Sequence, residues 1–80
     1  MPYVDPQARA LIATGTPPAT VGELTFVVYR AALRYLVGSP NSYQTRAEII
    51  AALECAKQEF YRRHVAPYED RKIEENGDVL

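Results

Sequence analysis

Two long stretches between helix breakers constrain this chain most: residues 20–37 and 42–66 both read as helices, and both are apolar on more than one side. Thr20 with Glu23 forms a capping box ahead of the first stretch. With side chains advancing about 100° per residue, Leu24, Val28, Ala31 and Tyr35 share one face. Phe26, Tyr29, Leu33, Leu36 and Val37 form a second apolar arc, which confines Glu23, Arg30 and Arg34 to a narrow stripe. The second stretch begins at Ser42, or at Thr45 with Glu48 as its own capping box. Ile49, Leu53, Ala56 and Phe60 line one side of it, continued by His64 near the edge. Tyr43, Ala47, Ile50, Tyr61 and Val65 line another, with Glu54 set among them, while Glu48, Cys55, Glu59 and Arg62 fill the polar sector.

Shorter elements flank these two. Asp5-Pro6 supplies a side-chain cap followed by proline at the first helical position, opening a short helix over 5–13. Thr14-Gly15-Thr16-Pro17-Pro18 breaks it, and Gly38-Ser39-Pro40-Asn41 is a turn carrying a C-cap glycine. Pro67 is expected to kink the long helix or to begin a new one over 67–76, which Asn76-Gly77 ends with a left-handed turn. No window alternates like a strand for long enough to compete. The expected fold is therefore all-α, a single domain over residues 1–80. It is a hairpin of two long helices with a short N-terminal helix and a Pro-kinked C-terminal helix.

That hairpin has a burial problem. At 1.5 Å per residue the long helices measure roughly 27 and roughly 35 Å, and a short turn makes them antiparallel. One short helix can cover one exposed apolar side, hardly both. Leaving about 400 Å² of apolar surface wet forgoes about 10 kcal/mol of burial at ~25 cal/mol/Å², comparable to a small domain's whole stability. The expectation is a small homo-oligomer. The competing arrangement folds the terminal segments back to close a monomeric core over Tyr29, Leu33, Ile50 and Tyr61.

Composition narrows the remaining classes. Eighty residues lie near the lower limit for an unaided core, and a single cysteine, Cys55, cannot form an intrachain disulfide. No zinc-ligand set is legible, so the expectation is no metal and no cofactor, and association is left as the staple. The Met1-Pro2-Tyr3 start carries no signal-peptide pattern, and the apolar run from Leu24 to Val37 is interrupted by Arg30 and Arg34. A cytoplasmic protein without membrane contact is expected. A net charge of −1 does not favour nucleic acid, whose binding rests on basic surplus.

Candidate sites are few. Arg62-Arg63 with Tyr61 and Tyr68 is the most ligand-like group, since guanidinium forks hold phosphates and tyrosine rings stack on bases. The two arginines diverge by about 100° on a regular helix, so one chain is not expected to close both on a single phosphate. The structural alternative packs Tyr61 in the core and pairs both arginines with Glu59, Glu69 or Asp70. Arg30 and Arg34, four apart on one face, invite an anion, or else pair with Glu54 or Glu59 or are simply solvated. Glu54 reads as a semi-buried carboxylate bridging to Arg30 or Arg34. His64 lacks further ligands and Cys55 lacks an activating base, so no catalytic constellation assembles and an enzyme is not expected. In the charged tail, Glu69 pairs with Lys72 at (i, i+3), Asn76 leads into the terminating turn, and Ile73 and Val79 are anchors for a neighbouring subunit.

Leu53-Glu54-Cys55, Phe60-Tyr61-Arg62-Arg63, Ala66-Pro67-Tyr68-Glu69-Asp70, Lys72-Ile73 and Glu75-Asn76-Gly77-Asp78-Val79 together resemble a family of small uncharacterised proteins encoded by phages and prophages. The similarity extends back through Gly22-Glu23-Leu24, with a weaker trace at Met1-Pro2-Tyr3, and covers about two thirds of the chain. The Val79-Leu80 ending departs from relatives that close on an aromatic residue. The resemblance implies an accessory protein made in the bacterial cytoplasm. The functional expectation is a binding protein that sequesters a nucleotide-derived signal of host immunity at intersubunit pockets. A protein–protein adaptor is the first alternative and a small nucleic-acid-binding regulator the second.

Overall fold

The computed structural model describes residues 4–79, which are helical with no strand among them. In chain order they form α1 (Pro6–Ala13), α2 (Val21–Val37), α3 (Tyr43–Phe60), a π turn (Tyr61–Val65) and α4 (Ala66–Asn76). Contacts divide the chain into two units, one up to Thr45 and one from Arg46. The antiparallel packing expected of the two long helices would run between these units and is a property of neither. The weak resemblance at Met1-Pro2-Tyr3 and the terminal Leu80 lie outside the described residues.

Local chemistry sets the boundaries of the first unit. The Asp5 carboxylate accepts from the N–H groups of Gln7 at 2.8 Å and Ala8 at 3.4 Å, and Pro6 occupies the first turn, where its missing donor costs nothing. Gly15, at φ +97°, lets the chain leave α1 by a conformation that disfavours a Cβ. Thr20 Oγ1 accepts from Glu23 N–H at 3.1 Å, as the capping box requires. The returning Glu23 carboxylate takes Ala19 N–H at 3.1 Å, one residue further out than the usual partner. At the far end Gly38 caps α2 at φ −85°, so this glycine fills its place without needing glycine's freedom.

α1 packs on α2, leaving Ile12, Phe26 and Val27 half-buried, and Leu33 and Leu36 share that intermediate state. Leu24, Val28 and Tyr35 on the other arc are exposed. Ser42, rather than Thr45, opens α3: its Oγ accepts from Thr45 N–H at 3.1 Å. Thr45 is the one fully buried residue described, and its hydroxyl donates to the Pro40 carbonyl at 2.7 Å. A polar group that deep needs such an acceptor.

The second unit is a helix that does not stop where expected. Pro67 cannot donate and its ring crowds the carbonyl four residues earlier. The backbone answers upstream, where α3 gives way at Phe60 to five residues of π turn, closed by Ala66 N–H donating to Tyr61 O. One extra residue per turn relocates the hydrogen bonds, so helix resumes as α4 with Pro67 in its first turn. The long helix thus ends six residues before the expected boundary at Ala66, and a widened turn takes the place of a break. Gly77, at φ +83°, ends α4, its N–H donating to Ile73 O at 2.8 Å.

No hydrophobic side chain among the described residues is buried. Of the four that a closed monomeric core would cover, Ile50 is 67% exposed and Tyr61 50%; Tyr29 is also exposed and only Leu33 is half-buried. No helix among the described residues is long and apolar enough to cross a membrane.

Alanine at the glycines should separate conformational need from helix propensity. Gly15→Ala and Gly77→Ala are each expected to cost about 1 kcal/mol, while Gly38→Ala, whose Cβ would meet only the Arg34 carbonyl at 3.5 Å, should be neutral within about 0.5 kcal/mol. Urea denaturation at one fixed protein concentration measures all three.

Candidate functional site

The Tyr/Arg group grows out of the π turn. Arg62 and Arg63 follow Glu59 by three and four residues, the two spacings that flank one side chain on a helix. Arg62 Nη2 reaches Glu59 Oε1 at 2.6 Å, and Arg63 Nε donates to the same oxygen. The expected divergence of about 100° therefore does not keep the two guanidinium groups apart, because long side chains arriving from either side converge on a shared acceptor. Both arginines and Glu59 are more than half exposed or nearly so, and the Arg63 bond, then the Arg62 bond, hold the Glu59 carboxyl below its usual range. A depressed carboxylate contributes stability above its unfolded value, and that contribution fades as pH falls through the folded one.

Tyr61 donates its hydroxyl to Glu69 Oε1, a contact that depends on the π turn. Eight residues apart on a regular α-helix, the two would stand about 80° out of line. One residue absorbed by the widened turn removes about 100° and brings them to within about 20°. The tyrosine is therefore half exposed and tied down, rather than packed in a core. The bond to Glu69, then that carboxylate's charge, a little desolvation and finally the Asp70 charge push the Tyr61 phenol above its ordinary value.

Tyr68 presents a half-exposed ring near two cations: Arg71 Cζ lies 5.9 Å and Lys72 Nζ 5.6 Å from its centroid. Lys72 pairs with Glu75 at 3.3 Å, not with Glu69, whose oxygen belongs to Tyr61. Asn76 is the last residue of α4 and leads into Gly77 as expected. Glu54 is not semi-buried. It is exposed, accepting from Gln58 at 3.2 Å and pairing with Lys57 at 3.2 Å on its own helix, and those two contacts hold its carboxyl below the usual range. His64 lies with its ring centroid 4.9 Å from that of Phe60, one turn away, and Cys55 is exposed. No group of metal-ligating side chains assembles among the described residues.

Arg30 and Arg34 belong to a different place. In the first unit they line an open groove of about 710 Å³ between α1 and α2, together with Arg9 on the facing helix. Its floor is apolar, built from Ile12, Phe26 and Val27. Among the described residues no ion pair reaches any of the three arginines. Arg9 was not among the candidates that the sequence suggests. The signal for it was available: it lies three residues before Ile12 on a helix short enough to need α2 as its support.

The structure thus brings Tyr61, Arg62, Arg63 and Tyr68 onto one stretch of helix and sets Arg30 and Arg34 at a separate groove. A family model described as a domain of unknown function, DUF6899, matches residues 1–79. The chain belongs to that family. The DUF6899 match covers both the grooved unit and the Tyr/Arg helix, so both are parts of one family domain. Neither a curated protein nor a solved structure matches this DUF6899 chain.

Alkaline titration followed by tyrosinate absorbance should show one phenol ionising later than the rest. Glu69→Gln removes the carboxylate and should return that phenol to the ordinary range, while Tyr61→Phe should delete the late step altogether. A late step that survives Tyr61→Phe would assign it to another residue.

Proposed function

We propose that this chain is a binding protein without enzymatic activity that works as a homo-oligomer, its helices burying in neighbouring subunits the apolar faces that one copy leaves in water. One observation carries this reading: among the described residues, no hydrophobic side chain is buried, while Leu24, Val28, Tyr35, Ile50, Leu53 and Phe60 are all exposed. Apolar burial is the main favourable term in folding, and patches of this extent mark association surfaces. With no intrachain disulfide possible, partner subunits are the staple that a chain of this size needs.

Light scattering after gel filtration should give a mass that is a multiple of 9.0 kDa, and the melting temperature should rise with protein concentration. Ile50→Asp is the sharper probe. At 67% exposure the side chain would tolerate the change in a lone chain, whereas an assembly that covers it should dissociate. A helical single subunit at high concentration, unaffected by Ile50→Asp, overturns the proposal and favours an adaptor whose apolar faces meet a different protein.

A second reading is favoured by the convergence at Glu59. Two guanidinium groups meet at one carboxylate oxygen, so the same pair can grip one phosphate oxygen once Glu59 swings aside, with the half-exposed rings of Tyr61 and Tyr68 nearby to stack on a base. On this reading the protein sequesters an anionic nucleotide, and the resemblance to phage-encoded proteins makes a signal of host immunity in the bacterial cytoplasm its target. Glu59 then competes with the ligand. Calorimetric titration with a panel of cyclic and linear nucleotides should give binding that tightens about tenfold in Glu59→Gln, as freeing a charge-assisted pair implies. Absence of heat from both proteins across the panel sinks this reading.

A further inference from the structure

The groove between α1 and α2 combines two features seldom left without an occupant. Its floor of Phe26 and Val27 is apolar, and Arg30 and Arg34 stand beside it about 6 Å apart along the helix, in no ion pair among the described residues. Like charges at that spacing repel. The complementary pattern occurs once more in this chain, on α4. There Glu69 is taken by Tyr61 and Glu75 by Lys72, but Asp70 and Glu74 enter no ion pair among the described residues and share the same four-residue spacing. Ile73, between them on the same side of the helix, is 43% exposed. The two carboxylates thus repeat the four-residue spacing of the groove's two cations, and each pair has an apolar neighbour within one turn of helix. The regional charges agree: residues 69–78 hold five acidic and two basic side chains, whereas residues 5–45 hold three arginines against Asp5 and Glu23.

We propose that α4 of one copy docks in the α1–α2 groove of a neighbouring copy, with Asp70 and Glu74 on Arg30 and Arg34 and Ile73 against the groove's apolar lining. The proposal rests on the oligomeric reading above and specifies one of its contacts. Groove and helix are different surfaces, so the contact is heterologous: each copy gives its helix to the next and receives one from the previous, and a closed ring satisfies all of them. Arg9, on the opposite wall, adds to the field that draws the acidic helix in.

Charge reversal tests it in the intact chain by sedimentation velocity. Arg30→Glu with Arg34→Glu, or Asp70→Lys with Glu74→Lys, should each weaken assembly at least about tenfold, and raised salt should weaken the wild type in the same direction. Mixing the two reversed proteins should restore assembly, since each reversed groove then meets a reversed helix and each native groove a native one. Circular dichroism checks folding. If a reversal unfolds the chain, the neutral set Arg30→Gln, Arg34→Gln, Asp70→Asn and Glu74→Gln replaces it, and each neutral pair should still weaken assembly. A wild-type oligomer that ignores both reversals overturns this contact and leaves the oligomeric reading standing, whereas a wild-type single subunit removes both. Rescue only when all four reversals share one chain, and not on mixing, shows that α4 meets its own groove and overturns docking between copies.

Discussion

Burial of apolar helix faces is the interaction on which a chain like this depends, and among the described residues no hydrophobic side chain is buried. Helix propensity and capping are enough to define where the helices run, because those terms are local. They contribute little to holding helices together, since most helical stability in proteins comes from packing an amphipathic face. The α1–α2 contact half-buries Phe26 and Val27 and leaves Leu24, Val28 and Tyr35 in water.

Pro67 has consequences well beyond its own position. Its missing N–H forces a rearrangement of backbone hydrogen bonding, and the widened turn shifts the phase of every later side chain. That shift brings Glu69 to Tyr61, whose phenol donates to it from the end of the apolar stripe. The arginines beside it are anchored by Glu59. The resulting cluster is pre-arranged, with Arg62, Arg63 and Tyr61 each already holding a carboxylate partner.

What was legible in the sequence was mostly what is local. Asp5-Pro6, Thr20 with Glu23 and Asn76-Gly77 act through hydrogen bonds within a few residues, and the helix ends they mark stand within a residue of their expected positions. Gly38 shows the limit, because glycine also occurs where no positive φ is required. Pro67 was recognised as a disruption, but whether a helix breaks or widens depends on whether the upstream turn can absorb one residue, which composition does not encode. Glu54 finds Lys57 and Gln58 on its own helix, partners that stand three and four residues on in the sequence. Arg62 and Arg63 look divergent when helices are drawn as wheels of Cβ vectors, whereas their reach is set by flexible side chains about four carbons long. Arg9 gains its significance only from the neighbouring helix.

The π turn also sets a limit on how far any helical seam can extend. A partner tracking the Ile49, Leu53, Ala56 and Phe60 stripe follows α3 for its eighteen residues, roughly 27 Å, and then meets a stretch wound at a different pitch. Knobs that interlock on one side of Tyr61 fall out of step on the other. The helix therefore carries two separate side-chain registers in tandem, with the π turn dividing one from the next, so that no single stripe runs uninterrupted from α3 into α4.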